Sequence, residues 1–305
     1  MKYEGKAYID RVMEIKDMKK KILQGGDEVA QRLNESLKTI ERYKHTSPHY
    51  EELLDILGDI LILREEYRRK VREDIFKIDE GLLTTKLNSG MPLVDFVDGV
   101  INLEEPRNYF MALLELAEDR QLGEAQQIRQ DLEDGTIDFM GMIRDSFDGT
   151  APANGEDEDE EDMFDLLGFL VEESLRPSLE ILAGKYGEAI EASTWAEGYC
   201  PLCGREPKIS QLKNEEGEKY LFCGQCGIQW RYPRLKCPFC ENEDQQTLAF
   251  FTVEDEEQYR VDVCNACNRY IKTIDFRNIR ENPNLDVEDI ATLHLDILAN
   301  DEGYD

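Results

Sequence analysis

Val29, Leu33, Leu37 and Ile40 recur at spacings of three and four, the apolar stripe of an amphipathic helix over residues 27–44. Ser47-Pro48 then offers a capping hydroxyl and a first-turn proline, with Glu51 and Glu52 near the positive end of the dipole. The helix predicted from there runs to about Phe76. It should turn Leu53, Leu54, Leu57, Ile60, Leu61, Val71 and Ile75 inward. Gly90-Met91-Pro92 breaks the periodicity, and Glu105-Pro106 restarts it through residues 109–116. A last helix is predicted from Met163 to about Tyr186, with Pro177 expected to kink or interrupt it. Strand-like alternation is scarce before residue 200, so a mainly helical bundle is expected there.

Past residue 200 the period changes. Tyr259, Val261 and Val263 alternate, as do Leu248 and Phe250, and Tyr270-Ile-Lys-Thr-Ile-Asp275 is rich in β-formers. Asn214-Glu-Glu-Gly217 has the composition of a hairpin turn. Helical spacing returns over 287–299 through Ile290, Leu293 and Ile297. The expected class is α+β: a helical domain over 1–195 with an acidic loop at about 149–162, a cysteine-rich module over 196–276, and a short helical tail over 277–305.

Composition narrows the function. The 305 residues carry 67 acidic against 36 basic side chains, a net charge of −31. Residues 81–195 alone hold 27 acidic against 7 basic. Such a balance disfavours nucleic acid and anionic membrane, whose phosphates must be neutralised by Lys and Arg. Seven consecutive carboxylates at 156–162 are expected to form a solvated loop; an acidic surface for a basic peptide is the functional alternative. No apolar run approaches the roughly 20 residues of a membrane span. The charged start, MKYEGKAYIDRVMEIKDMKKK, lacks the ~7–15-residue apolar core of a secretory signal. A soluble, cytoplasmic chain without membrane insertion is expected.

All eight cysteines lie between 200 and 267, as four CxxC pairs: Cys200/Cys203, Cys223/Cys226, Cys237/Cys240 and Cys264/Cys267. A CxxC turn places two sulfurs on one tight knuckle, and two knuckles complete a tetrathiolate site with metal–sulfur distances of ~2.3 Å. Four pairs therefore predict two metal ions with no cysteine left over. Gly204 and Gly227 follow the second cysteine of their pairs, where the backbone needs positive φ. Asn268 tolerates that conformation after Cys267, and Glu241 after Cys240 is the poorest fit. The order Cys-Pro-x-Cys, strand-rich interval, second CxxC occurs twice. That duplication favours sequential pairing, Cys200, Cys203, Cys223 and Cys226 at one site and Cys237, Cys240, Cys264 and Cys267 at the other. A cross-brace of first with third pair is the alternative. Sulfur ligands suit iron and zinc equally.

A closed site of four sulfurs leaves no position for Lewis-acid hydrolysis. His45, His49 and His294 are scattered and expected to be structural or surface residues. No phosphate-binding glycine loop or nucleophile elbow occurs, so the chain is not expected to be an enzyme. A nucleic-acid-binding zinc ribbon is one alternative, with Trp230, Arg231, Arg234 and Lys236 as its patch. Its counterpart is that Trp230 is core and Arg234 braces the two sites. A general metal-stabilised scaffold is the other alternative.

Trp195-Ala-Glu-Gly-Tyr-Cys-Pro-Leu-Cys-Gly204 resembles the start of the metal module of the formate dehydrogenase accessory (formation) proteins, the FdhE family. So do Leu221-Phe-Cys-Gly-Gln-Cys-Gly-Ile-Gln-Trp230 with Arg234, and Cys264-Asn-Ala-Cys267 with Tyr270-Ile-Lys272. Gly90-Met-Pro-Leu93, Leu175-Arg-Pro177, Asp289-Ile-Ala-Thr-Leu-His-Leu-Asp296 and Glu302-Gly-Tyr304 look like further landmarks of that family; the acidic run does not. The resemblance implies a helical domain, two rubredoxin-like sites associated with iron, and a cytoplasmic maturation factor. Its implied partner is the catalytic subunit of an exported formate dehydrogenase, bound before export, without formate oxidation by the factor itself.

Overall fold

A computed structural model describes residues 4–72, 76–96, 102–147, 165–253, 256, 258–277 and 283–305. The acidic run 156–162 and Ile75 lie outside them. Among the described residues, eight α-helices precede the cysteines: α1 (Glu4–Gln24), α2 (Glu28–Thr46), α3 (Glu51–Arg68), α4 (Leu83–Asn88), α5 (Glu104–Asp119), α6 (Ala125–Glu133), α7 (Phe139–Phe147) and α8 (Leu166–Glu191). Six strands follow: β1 (Ile209–Lys213), β2 (Glu218–Phe222), β3 (Gln229–Tyr232), β4 (Leu248–Thr252), β5 (Tyr259–Cys264) and β6 (Arg269–Asp275). Helices α9 (Leu285–Ala291) and α10 (Leu293–Asp301) come last. The α+β reading, helices first and a sheet with two tetracysteine clusters afterwards, is what the structure has.

The chain packs as two compact units interleaved along the sequence. One comprises residues 1–34, 59–77 and 94–181; the other comprises 35–58, 78–93 and 182–305. In the first, Leu63, Phe110, Leu113, Leu114, Ile143 and Leu175 are fully or almost fully buried. A buried ion pair lies among them. Arg64 reaches Glu173 through Nε and Nη2 at 2.7 and 2.9 Å, and the Tyr109 hydroxyl donates to the same carboxylate at 2.9 Å.

The helical periodicity misplaced one boundary and one inward-facing position. Helix α3 stops at Arg68, short of residue 76, because Tyr67 is the one nonpolar side chain between Leu63 and Val71. Leu53, expected inside, is 45 % exposed. Helix α8 runs through Pro177 without interruption. The buried Leu175, Leu179 and Leu182 on either side secure the helix where the proline removes one backbone hydrogen bond.

In the second unit the six strands form one sheet in the order β3-β2-β1-β6-β5-β4. Two antiparallel meanders, β1-β2-β3 and β4-β5-β6, are joined by parallel pairing of β1 with β6. The Asn214–Gly217 turn forms as expected, with positive φ at both ends. One sheet face meets α9 and α10: Ile209, Phe222, Val261, Val263 and Ile274 pack with Leu285, Leu295 and Ala299. The tail is helical but breaks at Thr292, and Ile297 is 60 % exposed while Val287, Leu295 and Ala299 are buried. On β4, Leu248 and Phe250 share one face as the alternation predicts, but it is the face away from the α9–α10 core: Phe250 stays 60 % exposed and Phe251 packs against that core.

Removing one partner of a buried ion pair strands the other charge, at a cost of about 3–5 kcal/mol. Glu180, 3.6 Å from Arg64 Nη1, stays as a second carboxylate, so Glu173→Ala is expected to destabilise the protein by up to that amount in urea titration. A change within about 0.5 kcal/mol would show that the Arg64 charge is not held by this pair.

Candidate metal centres

Each meander carries one sulfur cluster in the same way. The first CxxC precedes the leading hairpin and the second occupies the turn between its last two strands. Cys200 and Cys203 thus precede β1, and Cys223 and Cys226 lie between β2 and β3. Cys237 and Cys240 precede β4, and Cys264 and Cys267 connect β5 to β6. Within each group the four sulfurs lie within 4.8 Å of one another, which establishes the sequential grouping over the cross-brace.

All four knuckles close alike. The amide of the residue after the second cysteine donates to the first cysteine's carbonyl, from Gly204, Gly227, Glu241 and Asn268 at 2.9, 2.9, 3.0 and 2.8 Å. These four residues have φ of 77°, 73°, 61° and 57°. Positive φ at Glu241, a residue with a Cβ, is conformational strain that the other half of the duplication avoids with glycine.

The donor sets fit a tetrahedral cation. A regular tetrahedron with ~2.3 Å arms has edges of about 3.8 Å. Cys200–Cys226 and Cys203–Cys223 are 3.4 Å apart, and Cys237–Cys267 and Cys240–Cys264 are 3.8 and 3.7 Å apart. All eight cysteines are free of disulfides. In the first cluster burial pushes the Cys200, Cys203 and Cys226 thiols up. Cys223 is drawn well down, its own burial outweighed by hydrogen bonds from the other three sulfurs. In the second, burial and the neighbouring sulfurs push Cys267 up to about 12. Cys264 falls to about 7, its burial outweighed by the amides of Ala266 and Cys267 and by Asn242. Four thiolates this close together need a cation among them.

The clusters differ in cover. All four cysteines of the first are buried, whereas Cys240 is exposed and Cys267 half-buried in the second. The segment Gly90-Met-Pro-Leu93 lies on the first: Leu93 N–H donates to the Pro201 carbonyl at 3.1 Å, and Tyr199 Oη donates to the Gly90 carbonyl at 2.7 Å. At the second, the Tyr304 hydroxyl donates to Asn265 at 2.7 Å and the Asp305 amide to the Asn268 carbonyl at 2.8 Å. Tyr270 and Lys272 are tied to the tail as well. Lys272 Nζ sits 2.8 Å from Asp289 and 2.6 Å from Asp296, and the Tyr270 hydroxyl donates to Asp296 at 2.9 Å.

Other expected residues fall elsewhere. Trp230 is buried and donates to the Glu197 carbonyl at 3.1 Å, so the proposed surface patch lacks its aromatic platform. Arg234 is exposed and reaches the Glu216 carbonyl at 3.5 Å, holding the hairpin rather than bracing the clusters. Arg231 pairs with Glu218 at 2.7 Å. His45 and His49 are exposed, and His294 Nε2 lies 2.7 Å from Glu256. Spacing missed Asn242, whose amide donates to Cys264 Sγ at 3.6 Å. It also missed Gly198, where an added Cβ would sit 1.8 Å from the Pro238 carbonyl oxygen. The backbone leading into the first cluster therefore touches the first knuckle of the second.

The class so defined is a duplicated zinc-ribbon- or rubredoxin-like tetrathiol module carried with a helical body. Residues 199–234 match the family profile "FdhE, central domain" and 235–305 match "FdhE, C-terminal domain". A "Protein FdhE homolog" of Aquifex aeolicus is 27 % identical over 276 residues, 88 % of this chain and 91 % of that one. The homolog of Stutzerimonas stutzeri is 33 % identical over 109 residues, and that alignment spans 34 % of this chain and 35 % of the relative. The crystal structure of the FdhE protein from Pseudomonas aeruginosa shares the fold, with a TM-score of 0.61 at 18 % identity over 88 % of this chain and 90 % of that one. Residues 199–305 thus carry the two FdhE domain profiles, and the similarity to an FdhE homolog extends over most of the chain.

Because Gly198 has no room for a side chain, Gly198→Ala must shift the 198 or 238 backbone, and overpacking of this kind costs about 1–3 kcal/mol. The variant is expected to unfold at lower temperature than the parent by circular dichroism. An unchanged melting temperature would mean the two knuckles separate freely.

Proposed function

We propose that this chain is a cytoplasmic maturation factor that binds the catalytic subunit of an exported formate dehydrogenase and supports its assembly before export. The carrying observation is the pair of four-sulfur clusters within the two segments that match the FdhE profiles. The eight cysteines are the ligands of two metal ions, iron by family resemblance, with zinc equally suited to four sulfurs. When bound, such an ion supplies the positive charge that holds four thiolates together, and iron would add a one-electron couple.

The chain's own residues supply the rest. The knuckle amides hold the sulfurs in place, and the tail fixes β6 through Lys272 and Tyr270. With all four donor positions of each cluster filled by cysteine, no ligand position is left for a substrate, so the factor acts by binding rather than by catalysis. The charge of −31 argues against nucleic acid as partner. No helix among the described residues is long and apolar enough to cross a membrane.

Two metal ions per chain are expected, by elemental analysis of anaerobically purified protein. On chelation the second cluster is expected to empty first, because Cys240 is exposed and Glu241 and Asn268 stand where the first has glycine. Equal or reversed loss, followed by sulfur-to-metal absorption in Cys200→Ser and Cys237→Ser variants, would refute that order. The functional test is a deletion strain assayed for exported formate dehydrogenase activity. Activity should be lost, return with the parent gene, and stay absent with Cys200→Ser. Full activity in the deletion strain, with no related gene to compensate, would overturn the proposal.

A further inference from the structure

The two sulfur clusters are tied to each other through the backbone that carries their cysteines. Gly198 stands just before Cys200 and is buried against the carbonyl of Pro238, inside the first knuckle of the second cluster. The second knuckle of the first cluster leads directly into β3, and the Cys223 amide donates to the Ile228 carbonyl at 3.0 Å where the strand begins. The position of β3 therefore follows that of the Cys223/Cys226 knuckle. Trp230 and Tyr232 share one face of this strand. Trp230 donates to the Glu197 carbonyl at 3.1 Å, which holds β3 to the segment around Gly198. The buried Tyr232 hydroxyl donates to the carbonyl of Cys237, a member of the second cluster, at 3.0 Å.

A second bridge leaves from the other knuckle of the first cluster. Glu206, shortly after Cys203, accepts both terminal nitrogens of Arg269 at 2.8 and 2.6 Å. Arg269 follows Cys267, and its guanidinium also lies 3.8 Å from the centroid of the Phe239 ring, between Cys237 and Cys240. One arginine thus joins both knuckles of the second cluster to the loop after the first knuckle of the first. These contacts end on groups that must be in place before four sulfurs can converge. The Cys237 carbonyl is also the oxygen on which its own knuckle closes, accepting the Glu241 amide at 3.0 Å. Glu241 holds positive φ at a conformational cost, so this turn gains more than the others from an outside contact that keeps it closed.

We propose that the two clusters bind metal cooperatively, each more tightly when the other is loaded, with Tyr232 and the Glu206–Arg269 pair as the positioning residues that carry the coupling. Loading one cluster fixes its two knuckles. Through these contacts it orders part of the other cluster in advance, so that the second ion meets sulfurs already placed and a smaller ordering cost. The effect is mutual, because coupling between two equilibrium binding sites is reciprocal. The proposal rests on the reading of the eight cysteines as ligands of two ions and not on the chain's partner.

The test is titration of cobalt(II) into the metal-free, reduced full chain under anaerobic conditions in a chelator buffer, read by sulfur-to-cobalt absorption. Cys237→Ser with Cys264→Ser leaves the first cluster alone able to bind, and Cys200→Ser with Cys223→Ser leaves the second. The overall constant for two ions in the parent is expected to exceed the product of the two single-cluster constants by about tenfold or more, as in other coupled sites. On a background of Tyr232→Phe with Glu206→Gln the same ratio should fall to about twofold or less, the scatter of independent sites. Loss of a merely structural contact would weaken the second cluster but leave that ratio unchanged. Phenylalanine keeps the Tyr232 ring and Glu206 is exposed. Circular dichroism shows whether the loaded variant folds, and the parent ratio stands without it. A ratio near one in the parent, or an undiminished ratio in the folded variant, would overturn the proposal. A parent that takes up only one ion would overturn it together with the two-ion reading, whereas two ions bound independently would remove the coupling alone.

Discussion

Four sulfurs within 4.8 Å of one another are the constraint on which the cysteine module depends. Each thiolate raises the cost of ionising the next, and burial raises it further, so the arrangement is stable in its four-anion form only around a cation. Everything local to the clusters answers to that geometry. The knuckle turn requires a left-handed residue after each pair. The hairpin must return two strands so that the second pair meets the first. Both requirements are met twice, in β1-β2-β3 and again in β4-β5-β6, and parallel pairing of β1 with β6 merges the copies into one sheet.

The sulfur grouping was legible because its signal is local and discrete. A CxxC pair, a glycine or asparagine after it and a hairpin turn between pairs each occupy a few adjacent residues, and each forms where the sequence puts it. The helix boundaries and inward faces were less legible because they are set by what packs against them. Ile290, Leu293 and Ile297 have helical spacing, yet the face that meets the sheet is the one bearing Val287, Leu295 and Ala299. Small Ala299 gives no hydrophobic signal, although its size suits close approach to the strands. Phe250 and Phe251 illustrate the same limit: two adjacent aromatics cannot both be inside a strand, and only the partner layer decides which one is.

Several scattered landmarks of the family resemblance become one physical system in the structure. Lys272 on β6 faces Asp289 of α9 and Asp296 of α10, and the acids hold the lysine in place while the lysine ties both helices to the sheet. Both it and Asp289 are buried, and Asp289 is held below the ordinary carboxylate range, its burial outweighed by Lys208 and Lys272. Gly90-Met-Pro-Leu93 and Tyr304-Asp305 are likewise far apart in sequence, but each backs a knuckle, the former at the first cluster and the latter at the second.

Duplication does not make the two clusters equivalent, and the reason lies in strand order. The first meander contributes its leading strand, β1, to the middle of the sheet. The second contributes its last strand there and leaves its leading strand, β4, on the rim. A knuckle that precedes a central strand has neighbours on more sides than one that precedes an edge. Cys200 and Cys203 are accordingly buried, while Cys240 is exposed. Strain follows the same division, with glycine after both knuckles of the first cluster and Glu241 at positive φ in the second. One topological choice thus separates an enclosed sulfur cluster from a solvent-facing one, and places the solvent-facing one beside the only exposed phenylalanine of the described strands.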